Sequence, residues 1–223
     1  DAAGERSFQF IRGADRELVP EETVQAGAAE SRFLHFGSVS LTAEPARSAT
    51  LSAVQAARTA GVLVSYDPNY RPALWNSAEE AVKWMAQPLS QVDVLKLAEE
   101  ELPMLAGCGG LEEGSGRLAE MGISLVLITL GSAGVFCRWQ DQCFTVPGVP
   151  TPVADTNGAG DTFLGAVLCR LCRRGPRPLE GLTRSGLEEI LDYANRAAAL
   201  TCSRSGAIPA MPTWAEVEGV IQL

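Results

Sequence analysis

A glycine-rich turn that leads directly into a helix is the segment of this sequence best suited to chemistry. Residues 155–163 read DTNGAGDTF, and apolar side chains recur behind them at helical spacing. Gly158 and Gly160 permit unusual backbone angles and let a ligand approach the chain closely. The free N–H groups at the start of a helix form an anion site, which the helix dipole strengthens. We therefore expect a phosphate or a similar anion to bind at this turn.

Asp161 falls in the first turn of that predicted helix. A carboxylate there repels a bound anion, so it needs an explanation. It makes chemical sense if Asp161 accepts the proton of a hydroxyl group that attacks the anion. The alternative is that Asp161 only caps the helix, and the spacing alone does not decide between these two roles.

Short apolar segments alternate with longer amphipathic ones along most of the chain. The pattern predicts strands over 32–37, 62–67, 92–96 and 123–129, a hairpin of 134–138 with 142–146, and helices over 44–60, 77–87, 99–106, 116–121, 159–174, 186–203 and 213–221. The glycine-rich residues 107–116 predict a surface loop. This order is typical of an α/β fold with a doubly wound, mainly parallel sheet and helices on both faces.

Ligands of such sheets bind at the carboxyl ends of the strands. The residues that follow the predicted strands are therefore candidates for function, namely Gly37 and Ser38, Asp67 to Asn69, Lys96, and Thr129 to Gly131.

The composition excludes several other classes of function. The chain has 18 basic and 27 acidic residues, a net charge of −9, which argues against binding to nucleic acid or to an anionic membrane. His35 is the one histidine, so this chain cannot build a site with two histidine ligands, and we predict that His35 is a core residue. No apolar stretch is long enough for a transmembrane helix, and the first residues do not resemble a signal peptide. We expect a cytoplasmic protein.

Six cysteines are scattered through the sequence. We predict that they are reduced thiols, since no secretory signal accompanies them. Cys169 and Cys172 form a CxxC pair within a predicted apolar helix. We interpret them as small hydrophobic residues, because a zinc site would need two further ligands at suitable spacing.

Several segments together resemble one family of enzymes. DTNGAGDTF resembles the C-terminal signature of the ribokinase-type carbohydrate kinases, also called the phosphofructokinase-B family. Other segments resemble the same family and follow its order over essentially the whole chain: GERSFQFIR (4–12), DPNYR (67–71), LKLAEEEL (95–102), TLGSAG (129–134) and SGAIPAMP (205–212). DPNYR, followed by Leu74 and Trp75, is similar to the fructokinase and ketodeoxygluconate kinase branch.

The resemblance implies a ribokinase-like fold, with ATP and Mg²⁺ as cofactors. Asp161 would take the proton from the sugar hydroxyl, and the backbone N–H groups of Gly158, Ala159 and Gly160 would bind the transferring phosphoryl group. Residues 120–223 would form the nucleotide-binding half. There Thr129 and Gly131 would contact the ATP phosphates, and the adenine pocket would be lined by Asn195, Gly206 and Ala207.

The resemblance also implies the sugar and metal contacts. A lid strand within residues 1–12, centred on 7–11, would cover the sugar and could pair two copies as a homodimer. The sugar side would be formed by Arg12, Asn69 and Arg71, and Glu101 would hold magnesium through water. Asp155 would lie near a monovalent cation such as K⁺.

Two positions depart from the family pattern. Ala98 stands where the magnesium motif usually begins with a polar residue, so the alternative for Glu101 is a solvated helix start favoured by the dipole. Ala210 stands where a small polar residue can serve the cation site, which argues against activation by K⁺.

The chain is also shorter than the family domain. Family members have roughly 300 residues, so we expect about 90 residues to precede Asp1 in the native protein. Residues 1–223 would then form a single kinase domain without its N-terminal portion.

The sequence therefore predicts ATP-dependent phosphorylation of a sugar hydroxyl, with fructose converted to fructose 6-phosphate. A 2-keto-3-deoxygluconate kinase or a ribokinase of the same fold is the first alternative. A non-catalytic relative that binds sugar or nucleotide is the second. Ala98 favours that second alternative, whereas Asp161 and the intact anion turn argue against it.

Overall fold

The chain divides into two compact units, Asp1–Val92 and Asp93–Leu223. A computed structural model describes residues 10–219, and each unit is described here by itself. Both units combine parallel strands with helices, as the sequence pattern predicts.

The described part of the first unit, residues 10–92, is built on two parallel strands, β1 (Phe33–Gly37) and β2 (Leu63–Asp67), whose ends pair Gly37 with Asp67. Three α-helices accompany the strands within these residues, α1 (Pro20–Gln25), α2 (Ala46–Thr59) and α3 (Ala78–Ala86). The buried face of α2 consists largely of alanines, so that helix can lie close to the strands it contacts. The Phe36 and Tyr66 rings stack with centroids 4.3 Å apart, and the Tyr66 hydroxyl donates to Met85 O at 3.3 Å.

The described part of the second unit, residues 93–219, contains four strands. β3 (Val94–Ala98) and β4 (Leu125–Thr129) run parallel, whereas β5 (Val135–Trp139) and β6 (Gln142–Val146) form an antiparallel hairpin beside β4. The predicted hairpin is confirmed. Gln140, at its turn, has a φ of 54°.

Five α-helices lie between residues 93 and 219, the range of this unit that the structure describes: α4 (Leu102–Ala106), α5 (Leu111–Glu120), α6 (Ala159–Cys172), α7 (Arg184–Cys202) and α8 (Trp214–Gly219). The Thr201 and Thr162 hydroxyl oxygens, 3.0 Å apart and buried, join the end of α7 to the start of α6. Trp214 of α8 packs on Tyr193 of α7, with ring centroids 4.9 Å apart. The start of α6 is therefore fixed by the core of the unit.

The structure corrects several predicted boundaries. The third strand runs over Val94–Ala98 rather than 92–96, so Lys96 lies in mid-strand. The predicted helix 99–106 begins as a 3₁₀ turn over Glu99–Glu101 before α4. Residues 107–116 are not wholly a loop, because α5 begins at Leu111. Gly114 lies inside α5, where a Cβ would stand 2.9 Å from Leu102 Cδ1, so this glycine permits close helix packing.

Helix α1 was not predicted from the sequence. It is short and polar, and it begins with a proline in its first turn, a position that proline favours. Its start is also held by Glu22, whose carboxylate accepts from the Val19 N–H at 3.0 Å. The predicted lid strand over 7–11 lies mainly outside the described residues, and residues 10–12 have no regular secondary structure.

The prediction that His35 is a core residue is wrong, because its residue surface is exposed on β1, where its Nδ1 lies 2.9 Å from Ser65 Oγ. All six cysteines are free. Burial raises the pKa of the Cys137 thiol. Within residues 10–219, no helix has the length and hydropathy needed to span a membrane. Over the same residues, no group of three or more His, Cys, Asp or Glu side chains is arranged to hold a metal ion.

The loop after β4 depends on Gly134. Its φ is 103°, and a Cβ there would lie 2.2 Å from Val146 O and 2.4 Å from Gly148 N. We expect Gly134→Ala to lower the free energy of unfolding by more than about 3 kcal/mol, since it adds both backbone strain and a backbone clash. Denaturant unfolding followed by circular dichroism measures this change.

Gly165→Ala is the matched control, because Gly165 lies in the middle of α6 with open space around it. Alanine there should stabilise the helix by up to about 1 kcal/mol. Equal effects of the two substitutions would show that the loop tolerates a side chain at residue 134.

Candidate active site

The predicted anion turn stands at the start of α6. Gly158 is the N-cap residue and has a φ of 77°, a left-handed conformation that favours glycine. The Thr162 N–H donates to Gly158 O at 2.8 Å and so closes the first turn of the helix. The earlier N–H groups of an α-helix have no partner within the helix itself. Of the N–H groups at the turn, that of Ala159 donates to Thr156 O at 3.4 Å. The turn carries the positive partial charge of a helix start, and its binding of an anion stays a prediction.

Asp161 is the third residue of α6, and it is exposed. It lies beside the backbone donors of the turn. Thr156, which opens the turn, has a buried hydroxyl oxygen with no hydrogen-bond partner among the described residues. A buried hydroxyl left unsatisfied costs about 1–3 kcal/mol. A ligand that supplies its partner would remove this cost, so the turn fits a bound polar group such as a phosphate.

A second loop packs over the turn. A Cβ on Gly158 would lie 3.5 Å from both Ala207 Cα and Cβ, and 3.6 Å from Met211 Cε. The turn and the loop over residues 203–211 are therefore in van der Waals contact. The structure brings together Gly158, Gly206 and Ala207, which the resemblance assigns separately to phosphate and adenine contacts.

Asp155 ties these two segments to each other. One carboxylate oxygen accepts from the Asn157 N–H at 2.9 Å, within the turn. The other accepts from the Gly206 N–H at 3.1 Å, in the loop. The resemblance associates this carboxylate with a monovalent cation. In the structure it accepts hydrogen bonds from two backbone N–H groups. Ala210, in the same loop, is fully buried.

Lys96 also lies beside the turn. The sequence indicates this residue only by its position in a predicted strand. Its residue surface is 5% exposed, and its Nζ lies 3.1 Å from the position of a Cβ on Gly160. A lysine within an otherwise apolar strand, VDVLKLA, was the available signal. The spacing of residues in the sequence could not show that Lys96 lies beside the start of α6.

Thr129 is the last residue of β4, and Gly131 lies in the loop that follows it. The Thr129 hydroxyl donates to Leu97 O at 3.1 Å, and the Leu130 N–H donates to Gly134 O at 2.8 Å. Gly131 is exposed, with a φ of 56°. The loop is thus a closed turn at the carboxyl end of β4, the predicted position for phosphate contacts.

Glu101 and Asn195 are buried and hold local structure together. Glu101 Oε2 accepts from the Ala98 N–H at 2.7 Å, which caps the 3₁₀ turn after β3. The Asn195 amide donates to Pro147 O at 2.9 Å and to Val146 O at 3.3 Å, at the end of β6. Their predicted roles toward magnesium and adenine stay predictions.

Asn69 and Arg71 of the first unit follow the carboxyl end of β2. Asn69 has a φ of 47°, an uncommon conformation for a residue with a side chain. The Ser38 N–H donates to Pro68 O at 3.2 Å, which joins the ends of β1 and β2. The Arg71 guanidinium donates to Tyr70 O at 3.0 Å.

Arg12 precedes β1 in the chain, and its side chain contacts the turn that follows this strand. Its guanidinium donates to Thr42 Oγ1 at 2.8 Å and pairs with Asp15. It lines a cavity of about 610 Å³, together with Arg16, Thr42, Leu74 and Asn76. A small polar molecule such as a sugar would fit this volume.

Known proteins share the sequence and the fold of this chain. The model of the pfkB family carbohydrate kinases matches residues 1–214. Fructokinase-1 of Oryza sativa subsp. japonica is 40% identical over 221 residues, which cover 97% of this chain and 67% of that protein. A fructokinase from Xylella fastidiosa with bound ATP has a TM-score of 0.88 and 31% identity, over 100% of this chain and 71% of that one.

A fructokinase from Vibrio cholerae O395, solved with fructose, ADP and calcium, has a TM-score of 0.75 and 32% identity. That likeness covers 84% of this chain and 59% of the other. The chain spans 66% of the length of one tomato fructokinase and 69% of that of Vibrio alginolyticus. The α/β fold predicted from the sequence is that of these kinases. The chain belongs to the pfkB family of carbohydrate kinases.

Proposed function

We propose that the native protein transfers the terminal phosphoryl group of ATP to fructose and forms fructose 6-phosphate. The observation that carries this proposal is the glycine turn at the start of α6, with Asp161 in its first turn. The fructokinase relatives support the choice of acceptor. This chain spans about two thirds of the length of Fructokinase-1 of Oryza sativa. The acceptor of the whole enzyme is therefore inferred from such relatives.

Phosphoryl transfer depends on positioning and on charge stabilisation more than on covalent catalysis. The N–H groups at Gly158, Ala159 and Gly160 stabilise the charge that develops on the transferring group. Asp161 accepts the proton of the attacking sugar hydroxyl. Asp161 is exposed, which suits a group that must meet a substrate.

The nucleotide lies, in this proposal, along the turn and the adjoining loop over residues 203–211. Gly206 and Ala207 line the adenine side, with Asn195 behind them, while Thr129 and Gly131 approach the phosphates. The unsatisfied Thr156 hydroxyl supports this arrangement, because a phosphate oxygen can accept from it.

A magnesium ion on the phosphates supplies neutralising charge when it is bound. Glu101 would hold it through water, since carboxylate oxygen is a ligand that magnesium prefers. Its attachment to the Ala98 N–H fixes the direction of the carboxylate. Asp155 already binds two backbone N–H groups, so a K⁺ ion there would share a carboxylate that is in use.

The sugar side comprises Arg12, Asn69 and Arg71 in this proposal. The backbone of Asn69 and the guanidinium of Arg71 lie just after β2, the position where parallel sheets bind ligands. A homodimer formed through the lid stays a prediction, since residues 1–9 lie outside the described part of the chain.

A panel of sugars tests the acceptor directly. The whole native polypeptide is assayed with ATP, magnesium and fructose, ribose or 2-keto-3-deoxygluconate, and ADP release is followed. We expect fructose to give the highest kcat/KM. A higher value with either other sugar would replace the acceptor, and nucleotide binding without turnover of any sugar would favour a non-catalytic relative.

Replacing Asp161 should slow the chemical step and leave the binding of ATP nearly unchanged. We expect Asp161→Asn to leave the Kd for ATP within about threefold and to lower kcat by about 10²-fold or more, the scale of a lost general base. Asp141→Asn, in the exposed turn of the β5–β6 hairpin, is the matched control and should keep the parent turnover. Wild-type turnover in Asp161→Asn would reduce Asp161 to a helix cap.

Replacing an arginine on the sugar side should weaken the binding of fructose more than the binding of ATP. We expect Arg71→Ala to raise the KM for fructose by about tenfold, the scale of a lost charged hydrogen bond, with a smaller change in the KM for ATP. Arg58→Ala, at an exposed position near the end of α2, serves as the control. A larger effect on the KM for ATP would move Arg71 to the nucleotide side.

Asp155 should act by positioning the turn. Asp155→Ala removes the acceptor of the Asn157 and Gly206 N–H groups. We expect amide hydrogen exchange at residues 157 and 206 to accelerate by about tenfold or more, and ATP to bind more weakly, because both segments lose a charged partner. Unchanged exchange at both amides would contradict this role.

A further inference from the structure

One carboxylate joins the two ends of the loop over residues 203–211. Glu216, in the first turn of α8, accepts from the Arg204 guanidinium through Oε1, at 2.6 Å. Its Oε2 accepts from the Thr213 N–H at 2.7 Å and from the Thr213 hydroxyl at 2.8 Å. Arg204 stands at the start of the loop, and Thr213 lies two residues beyond its end. The distance between the two ends is therefore fixed by one side chain.

Helix α8 is itself anchored to the core of the second unit. Val217 is 2% exposed and lies in one buried cluster with Tyr193 of α7. The Trp214 ring packs on Tyr193, and the Arg173 guanidinium lies over it, with Cζ 3.7 Å from the ring centroid. Glu216 stands between Trp214 and Val217 in the chain, so these contacts also fix the place from which its carboxylate reaches the loop.

Helix capping explains only part of this arrangement. The Glu216 N–H donates to the Thr213 hydroxyl at 3.4 Å while the Thr213 N–H donates back to Glu216, which is the reciprocal pattern of a capping box. A cap does not need Arg204, which precedes Glu216 by 12 residues. In contrast, the pair of Arg184 and Glu188 lies within α7 and joins no separate segments.

The strength of the contact suits the control of a loop. The Thr213 N–H, the Arg204 guanidinium and the Thr213 hydroxyl lower the pKa of Glu216 to about 2, with the N–H contributing most. The carboxylate is thus ionised at any ordinary assay pH. The Arg204 and Glu216 side chains are 36% and 42% exposed, and such ion pairs change an equilibrium constant by at most about fivefold. The pair can therefore favour one position of the loop without being essential to the fold.

The position of the loop matters because of what it holds against the turn at the start of α6. Only two residues separate Arg204 from Ala207, and the proposed function places Gly206 and Ala207 beside the adenine. When a loop spends part of its time elsewhere, the apparent affinity of its ligand falls by that fraction. An interaction that fixes the ends of the loop raises nucleotide affinity without touching the nucleotide.

We propose that Glu216 is a positioning residue for nucleotide binding. Its contacts with Arg204 and Thr213 hold the ends of the loop over residues 203–211. The loop in turn keeps Gly206 and Ala207 in place against the turn. The inference rests on the proposed kinase function and adds to it a residue that contacts neither substrate. Its loss weakens the binding of nucleotide and leaves the KM for fructose unchanged.

Glu216→Gln separates the cap from the contact with Arg204. Glutamine keeps one carbonyl oxygen, which can still cap α8, but it loses the charge that pairs with the guanidinium. In the whole native polypeptide, we expect calorimetry to show a Kd for a non-hydrolysable ATP analogue with magnesium that is raised about threefold to fivefold. Glu188→Gln, which removes the ion pair within α7, is the matched control and should keep the parent Kd. A Kd for Glu216→Gln within about 1.5-fold of the parent would overturn the proposal.

A second variant tests whether the effect passes through Arg204. We expect Arg204→Gln alone to raise the Kd about as much as Glu216→Gln does. The double variant should be no weaker than either single variant, because both substitutions remove the same contact. Independent effects would instead multiply, to about ninefold or more, and would contradict a shared role in closing the loop.

Amide hydrogen exchange in the protein without ligand distinguishes loop positioning from helix capping. In Glu216→Gln we expect exchange at residues 206 and 207 to accelerate about threefold or more. Exchange at Asn157 should stay unchanged, since Asp155 holds that N–H within the turn. The Val217 N–H, which donates to Thr213 O at 3.2 Å, should also keep its rate. Faster exchange at Val217 with unchanged rates at residues 206 and 207 would reduce Glu216 to a helix cap.

The outcomes separate this inference from the proposed function. Weaker nucleotide binding in both single variants of a protein that phosphorylates no sugar would support the positioning role and refute the proposed function. Phosphorylation of fructose with an unchanged Kd in both variants would overturn the positioning role and leave the kinase function standing.

Discussion

The accumulation of positive charge at the start of α6 is the constraint on which the described site depends. The helix dipole and the backbone N–H groups favour an anion at this place. Lys96 Nζ lies 3.1 Å from the position of a Cβ on Gly160, so a side-chain cation also stands beside the turn. Asp161 places a negative charge in the first turn of the same helix. A phosphate bound at the turn would be attracted by the partial positive charge of the helix start.

The rest of the second unit holds the turn in position. The Thr162 and Thr201 hydroxyls join α6 to α7 inside the core, which fixes the direction of the helix start. Asp155 connects the turn to the loop over residues 203–211. A Cβ on Gly158 would make only ordinary contacts with Ala207, so glycine is favoured there by its φ of 77° rather than by a lack of space. A substitution at Thr162, Thr201 or Asp155 would act on phosphate binding through geometry rather than through direct contact.

The sequence could predict the parts of the site that are local. Glycines at 158 and 160 before an amphipathic helix predict the turn, and the spacing places Asp161 in its first turn, as the structure has it. The β5–β6 hairpin is also local and was predicted correctly. The end of β3 was less predictable, because it is set by the contact of Glu101 with the Ala98 N–H rather than by hydropathy. Helix α5 was predicted in part as a loop, since the packing of Gly114 on Leu102 is a tertiary contact. The place of Lys96 beside Gly160 joins segments distant in sequence, so no local pattern could give it.

The most direct test of this account is a crystal structure of the whole native polypeptide with a non-hydrolysable ATP analogue, magnesium and fructose. The account predicts that the terminal phosphoryl group lies at the start of α6, with one of its oxygens about 2.7–3.2 Å from the Gly160 N–H nitrogen. The attacking sugar hydroxyl should lie within hydrogen-bond reach of Asp161. A phosphate chain bound elsewhere, with the turn facing only solvent, would contradict it.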